Sequence, residues 1–305
     1  MRFTQNKSDR RIRRMTHTET LQNEPSFSEW VGRRQQTDDV VGLNATRRLA
    51  ALLDKPSAAK VGDRIPGYWY QILFSPCELQ SALAADGHPA KGDFLPPIPL
   101  PRRMFAGRQV RFVNDLHVGD AVTRTSAIHR IVPKNGRSGA MCFVTVRHEI
   151  RNVAGLVLIE EDQDIVYRGP AGDSPAVAAA AAPEPPMAEF EACYQPDATL
   201  LFRYSAITFN AHRIHYDLPY ARDVEGYPGL VVNGGLTTMK LWDAVADRTG
   251  RAIAASRSRN LKPLFADRTV TLRMAHTGPD RVLAWALDAD GALAMRVEID
   301  LGAAS

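Results

Sequence analysis

An amide and two imidazoles stand at i, i+2 and i+5 in Asn210, His212 and His215, just after the apolar, β-prone run 199–208. Further on, Asn233-Gly234-Gly235 leads into a segment of helical periodicity that begins at Leu236. Imidazole titrates close to neutral pH and can take and return a proton. An amide accepts and donates hydrogen bonds but transfers no proton. A glycine-led helix start offers unpaired N–H groups and the positive end of the helix dipole to an anion. A site built from these parts can hold a water and an oxyanion at once. Addition of water to an activated double bond, or its removal, has these two requirements.

The residue types suggest a division of roles. His215 is the candidate general base and Asn210 the group that positions the water. His212 either holds the nucleophilic water or orients His215, and the N–H of Gly234 is the oxyanion donor. Each has a structural alternative. A buried histidine can be satisfied by a backbone carbonyl, Asn210 can cap the turn into His212, His212 can be a turn residue, and the glycines can simply allow close packing. His212-x-x-His215 also has metal-ligand spacing, but a catalytic zinc needs a third protein ligand. No neighbouring motif offers one beyond the lone carboxylate of Asp217, so no metal is expected. No glycine-rich nucleotide loop follows a strand, so no nucleotide cofactor is expected.

These groups need a framework. In the second half, strand-like 199–208 precedes the polar trio, and a long helix over 235–247 follows it. Strands are then expected at 251–260, 269–276, 282–288 and 293–301, with Asp290-Gly291 as a hairpin turn. Met239, Leu241 and Trp242 on the helix read as core. The first half has the same order of parts. A helix is expected over 38–54, capped by Asp38 or Asp39, then a break at Pro66-Gly67 and an aromatic run at 69–74. The proline-rich 94–101 must be extended. Four β-prone runs follow at 107–113, 121–132, 140–152 and 156–167, with a hairpin turn at Asn135-Gly136. Helix first, then antiparallel strands, gives an α+β fold with helices on one face of a sheet. An Ala/Pro-rich linker at 170–189 separates residues 27–169 from 190–305. The segment 111–122 faintly echoes 259–270, each reading strand, turn with an acid, strand, which suggests two copies of one fold.

The chain of 305 residues is long enough for two domains, with 45% hydrophobic and 24% charged residues, as in soluble globular proteins. It has no apolar run of about 18 residues, which argues against a membrane span. Cys77, Cys142 and Cys193 are odd in number and widely spaced, which points to a reducing compartment and a cytoplasmic location. Much of the net charge of +4 sits in Arg2, Lys7, Arg10, Arg11, Arg13 and Arg14. Residues 1–26 read as a solvated, disordered basic tail. Met15 is an alternative start. The tail is Arg-rich and acid-poor like a transit peptide but lacks an apolar helical face. Basic residues are not interleaved with aromatics in one stripe, so nucleic acid is not an expected partner.

The segment 204–215, with Tyr204-Ser205-Ala206 and Asn210-Ala211-His212-Arg213-Ile214-His215, resembles the hydratase motif of MaoC-like proteins. That motif reads aromatic, small residues, then Asp-x-Asn-x-x-His. Asn210 stands where the family has its acid, His212 where it has asparagine, and only His215 matches. The variant at 209–217 is similar to the branch that holds hydroxyacyl-thioester dehydratase type 2 and the bacterial 3-methylfumaryl-CoA (mesaconyl-C4-CoA) and itaconyl-CoA hydratases. Segments 94–104, 136–139, 143–149 and 225–232 resemble the bacterial group.

The resemblance implies a double hot-dog fold, two antiparallel sheets each wrapped on a central helix. It also implies a hydro-lyase whose substrate is an acyl-CoA, with CoA as part of the substrate and no other cofactor. A homodimer is a candidate assembly. The first half would have lost the trio and would shape the acyl pocket. Arg257, Arg259 and Lys262 are candidates for the CoA phosphates, although charged edge strands are common. Arg102 and Arg103 are candidates for the carboxylate of a dicarboxylic acyl group, which a guanidinium grips with two hydrogen bonds. The expected reaction is hydration of 3-methylfumaryl-CoA or itaconyl-CoA to citramalyl-CoA. Alternatives are a 3-hydroxyacyl-thioester dehydratase of fatty-acid synthesis and, because Asn210 replaces the acid, a non-catalytic acyl-thioester-binding protein.

Overall fold

A computed structural model describes residues 27–136, 139–169 and 184–303. The expected basic tail at 1–26 and most of the expected linker lie outside the described residues. Residues 184–188, the described end of that linker, have no regular structure.

The first half contains β1 (Arg34–Val40), α1 (Leu43–Leu52), β2 (Arg64–Ile65), β3 (Arg102–Phe112) and β4 (Leu116–His117). The long strands β5 (Ala121–Gly136), β6 (Gly139–Asn152) and β7 (Val157–Arg168) complete it. The second half contains β8 (Phe190–Tyr194), α2 (Ala198–Ile207), α3 (Gly234–Thr249), β9 (Ile253–Asn260), β10 (Val270–Gly278), β11 (Arg281–Leu287) and β12 (Leu293–Leu301). Ten strands form one antiparallel sheet in the order β1-β5-β6-β7-β3-β9-β12-β11-β10-β8. The order reads alike from either end: an edge strand, a three-strand meander, then a central strand. The central strands β3 and β9 pair with each other, Val110 opposite Ser256, and so join the halves. The two segments that echo each other in sequence run from β3 toward β5 and from β9 toward β10, the same place in each half.

Helix α3 packs on strands β9 to β12. Leu236, Met239, Trp242 and Val245 are all fully buried, and Thr237, Thr238, Leu241 and Asp243 are buried beside them, so the helix is enclosed around most of its circumference. The indole Nε1 of Trp242 donates to Ser256 Oγ at 2.8 Å, and its ring meets Phe112 of β3 edge-on at 5.9 Å. The helix ends at Gly250, which takes the left-handed conformation (φ 65°) that glycine adopts without strain. In the first half, Ile98 and Leu100 of the proline-rich segment are buried against Ile128, Val144 and Tyr167. Lys91 Nζ pins that segment through the carbonyls of Ile98 and Leu100 at 2.8 and 3.1 Å.

Three sequence expectations need correction. The run 199–208 is helix α2, not strand. Its β-branched and aromatic residues suggested a sheet, but Asp197 caps it by accepting the N–H of Leu200 at 2.7 Å, and Leu201, Tyr204 and Ser205 bury one face at helical spacing. The helix expected over 38–54 covers only Leu43–Leu52, because Asp38 and Asp39 belong to the sheet region. Asp38 Oδ1 accepts from Thr123 Oγ1 at 2.6 Å, and Asp39 Oδ2 accepts from the N–H of Phe74 at 2.5 Å. The β5–β6 ladder continues to Gly136 opposite Gly139, so the hairpin closes beyond Asn135-Gly136. The Asp290-Gly291 turn forms as expected, with Asp288 and Ala292 closing it at 2.9 Å.

Replacing Asp197 with alanine is expected to cost about 1 kcal/mol, the usual worth of a helix cap. The denaturation midpoint reports it, and an unchanged midpoint would show that the cap adds nothing to α2. Cys77, Cys142 and Cys193 are free thiols. Among the described residues, no helix is long and apolar enough to cross a membrane.

Candidate active site

Helix α2 ends at Thr208, and the chain then turns sharply through Phe209 (φ 49°). The N–H of Asn210 bonds back to Ser205 O at 2.8 Å, and Asn210 Oδ1 accepts the N–H of His212 at 3.0 Å. The amide of Asn210 therefore builds the turn into His212, the structural alternative noted from sequence. Its Nδ2 and one oxygen lone pair remain for a water. A short 3-10 turn, Arg213–His215, brings His215 inward.

The carbonyl of Val231 sits 2.7 Å from His215 Nδ1. A carbonyl can only accept, so Nδ1 carries the proton of the neutral ring and Nε2 presents a lone pair. The ring is 7% exposed. Burial pushes its pKa down to about 4, although the Val231 bond acts the other way. His212 stands edge-on to His215 with centroids 5.5 Å apart. Burial, His88 and His215 push its pKa down to about 2. Both rings are neutral at physiological pH.

Gly234 opens α3 as expected, one residue earlier than the sequence suggested. Asn233 occupies the cap position, yet its side chain makes no capping bond. The helical ladder starts with Thr237 N–H on Asn233 O at 3.2 Å, which leaves the N–H groups of Gly234, Gly235 and Leu236 outside it. A methyl group on Gly234 would lie 2.5 Å from Asn260 Nδ2, and one on Gly235 would run into Tyr204 Oη. Close approach requires glycine at both places.

His215, His212, Asn210 and Gly234 all line one cleft of about 1840 Å³. The cleft also exposes groups that sequence reasoning missed. Asn233 is 3% exposed, and both of its side-chain polar atoms lack a partner among the described residues. Ser205 Oγ and Asn260 Oδ1 are likewise buried and unpaired. A buried polar atom without a partner is costly, so these atoms are candidates to address a substrate.

The cationic candidates separate. Arg103 lines the cleft, and its charge helps hold His88 and His212 neutral. Its described hydrogen bond runs to Pro89 O at 3.4 Å, and it has no ion pair among the described residues. Arg102 is turned elsewhere, to Glu225 at 3.1 Å and Tyr227 Oη at 2.7 Å. Neighbours on a strand point to opposite faces. Arg257 and Arg259 line the cleft from the exposed side of β9, with Arg257 on Gln109 Oε1 at 3.2 Å. Lys262 also lines it and is paired with Asp288.

The first half contributes more than a pocket wall. Asp86, His88 and His212 bring their donor atoms within 4.8 Å of one another, so folding supplies beside His212 the ligand-type groups that no neighbouring motif offers. The rings of His88 and His212 pack against each other, with centroids 4.0 Å apart and planes tilted by 40°. The sequence signal was only Asp-Gly-His within a turn, with nothing to tie it to residue 212.

The family model for hydroxyacyl-thioester dehydratase type 2 matches residues 69–266. The chain is 43% identical over 274 residues to a mesaconyl-C(4)-CoA hydratase of Chloroflexus aurantiacus, covering 90% of this chain and 97% of that one. Among solved structures it is similar to a MaoC-like dehydratase (TM-score 0.68, 12% identity, 92% of this chain and 100% of that one). It is also similar to a Mycobacterium tuberculosis protein described as a double hot dog (TM-score 0.56, 12% identity, 91% and 98%). At such identities the two structures establish the fold, a double hot dog.

Proposed function

The chain belongs to the hydroxyacyl-thioester dehydratase type 2 family and is a MaoC-like hydro-lyase, and from that premise we propose that it hydrates a branched dicarboxylic enoyl-CoA, 3-methylfumaryl-CoA or itaconyl-CoA, to citramalyl-CoA. One observation carries this choice of substrate: a guanidinium free of ion pairs among the described residues, Arg103, shares the cleft with the imidazole bases. An apolar acyl chain would leave that cation buried beside the substrate without a counter-charge, a costly arrangement. A carboxylate on the attacked carbon would neutralise it. The name of the Chloroflexus relative agrees with such a substrate.

In this reading, Nε2 of His215 takes a proton from water as the oxygen bonds to the β-carbon. In 3-methylfumaryl-CoA, whose double bond is conjugated with the thioester, the electron pair of that bond moves toward the thioester oxygen. The N–H of Gly234, at the mouth of α3, holds the resulting enolate charge. Asn210 and His212 keep the water in line with His215. CoA is part of the substrate, and the mechanism needs no other cofactor. Its phosphates meet Arg257, Arg259 and Lys262 at the cleft wall.

The test is to incubate the protein with 3-methylfumaryl-CoA and crotonyl-CoA, following loss of enoyl-thioester absorbance, and with itaconyl-CoA, whose double bond is not conjugated with the thioester, following formation of citramalyl-CoA by chromatography. Turnover of a dicarboxylic thioester with crotonyl-CoA nearly inert is the expected result. Preference for crotonyl-CoA or longer chains would overturn the substrate assignment in favour of a fatty-acyl dehydratase. Binding without any turnover would overturn the reaction. Arg103→Met should raise KM for the dicarboxylic thioester by roughly 10- to 100-fold, the worth of about 1.5–3 kcal/mol for charged hydrogen bonds. The same variant should leave residual crotonyl-CoA turnover unchanged, and an equal effect on both substrates would count against a carboxylate contact.

A further inference from the structure

The amide at position 210 leaves the site one acid–base group short of the family pattern. His215 can handle the proton of the water, but the α-carbon must also gain a proton, or lose one in the reverse direction. The first half places a further imidazole, that of His88, in the same cleft. His88 Nδ1 lies 2.9 Å from Asp86 Oδ2, and the N–H of His88 donates to Asp86 Oδ1 at 2.9 Å. The carboxylate holds the Nδ1 proton of the neutral ring, so Nε2 is the free nitrogen. The ring packs on His212 at 4.0 Å, and its side chain keeps 23% of its surface exposed along the cleft.

This juxtaposition is built rather than incidental. The N–H of Arg213 donates to Asp86 O at 2.9 Å, and Arg213 Nη1 donates to Ala85 O at 3.1 Å. Gly87 has φ +88°, and a methyl group there would run into the carbonyl of Ala211. Only glycine lets the 84–88 turn reach the 210–215 loop this closely.

Resting on the hydro-lyase reading above, we propose that Asp86 and His88 form the second acid–base unit of the site, serving the α-carbon while His215 serves the oxygen. In dehydration the lone pair on His88 Nε2 takes the α-proton. The C–H electron pair passes through the enolate held at Gly234 and becomes the new double bond as the C–O bond breaks. The departing oxygen takes a proton from Nε2 of protonated His215 and leaves as water. Hydration is the reverse: His215 takes a proton from water, and protonated His88 gives one to the α-carbon. Exchange with water in the cleft then resets both rings. Asp86 acts through His88 as a positioning residue. It also offsets the positive charge that His88 gains, as a carboxylate behind an imidazole does. Burial opposes ionisation of Asp86, but the hydrogen bonds from the His88 ring and N–H, together with the charges that His88 and His212 can carry, outweigh this and keep the carboxyl ionised well below its usual range. The charged and titratable groups facing His88 are Asp86, Arg103, Glu225, His212 and His215.

The experiment compares the full-length wild type with His88→Gln, His88→Gly and Asp86→Asn, using whichever thioester the wild type turns over. His88→Gln should lose about a hundredfold in kcat, the low end for a positioned acid–base group, with an unchanged circular dichroism spectrum. Its deuterium isotope effect with α-deuterated hydroxyacyl-thioester should rise, because proton removal now limits the rate. Added imidazole should restore part of the His88→Gly rate. Asp86→Asn should shift the pH limb that belongs to His88 downward. Wild-type kcat in His88→Gln would overturn the proposal. So would a loss of rate with unaltered isotope effect and pH profile and no rescue by imidazole, since these indicate a packing role alone. A wild type inert toward every thioester would overturn the functional reading together with this proposal, whereas an active wild type matched by His88→Gln overturns the proposal alone.

Discussion

Replacing His215 with glutamine is expected to lower kcat for hydration by about 10³–10⁴-fold, toward the upper end for a general base, while the melting temperature changes little. Glutamine can still donate to the Val231 carbonyl that His215 Nδ1 uses at 2.7 Å, so the turn keeps its anchor. It has no atom that accepts a proton, and that single loss is what the experiment isolates. The pH dependence follows from the direction of the shift. Burial holds the imidazole pKa down to about 4, so the ring is unprotonated above that value. A base must be unprotonated to act in the hydration direction. The wild-type rate should therefore rise as pH passes upward through about 4, and His215 should impose no further change at higher pH. His215→Gln should lack that limb. A variant with near-normal rate, or one that keeps the limb, would remove His215 from the chemistry.

The sequence reveals local periodicity and hides distant company. Helix α3 and strands β9 to β12 could be read because each carries its own pattern, from the buried apolar residues Leu236, Met239, Leu241, Trp242 and Val245 to the turn at Asp290-Gly291. The run that became α2 was misread because Thr199, Phe202, Tyr204 and Ile207 are residues that strands favour. The Asp197 cap and the burial of Leu201, Tyr204 and Ser205 override that preference. Of the site, the trio and the glycine helix start were legible because they are contiguous motifs. Arg102 and Arg103 could not be ranked. Strand alternation separates them, but which one enters the cleft depends on the register of β3, including its bulge between Phe105 and Gly107. Asp86 and His88 were invisible as site residues, since only the pairing of the two halves carries them to His212.

That pairing also shapes the Gly234 end of the cleft. Strands β3 and β9 meet at the junction of the halves, with Gly107 opposite Arg259. Just beyond, Asn260 Nδ2 donates to Phe105 O at 3.1 Å. The same Asn260 and Phe105 are the first neighbours that a methyl group on Gly234 would meet. The start of α3 is thus set by contacts from both halves, while His215 and Asn210 come from the second alone.

A pair of substitutions at position 234 separates the donor from the space around it. In an Asn260→Ala background the amide that a β-carbon would meet at 2.5 Å is gone. Alanine and proline then both add a β-carbon, but only proline removes the N–H. Proline suits the first position of a helix, where its missing donor and fixed φ cost little. Asn233 before it is already extended, with φ −60° and ψ 127°, as a residue preceding proline must be. The helix should therefore form in both variants. If the Gly234 N–H holds the enolate oxygen, proline should be slower than alanine in kcat by about 10²–10³-fold, or about 2.7–4 kcal/mol. The KM of the two should differ far less, because the charge on that oxygen develops only in the transition state. Equal kcat values in the proline and alanine variants would move the oxyanion contact to the neighbouring amides of Gly235 and Leu236, which also stand outside the helical ladder.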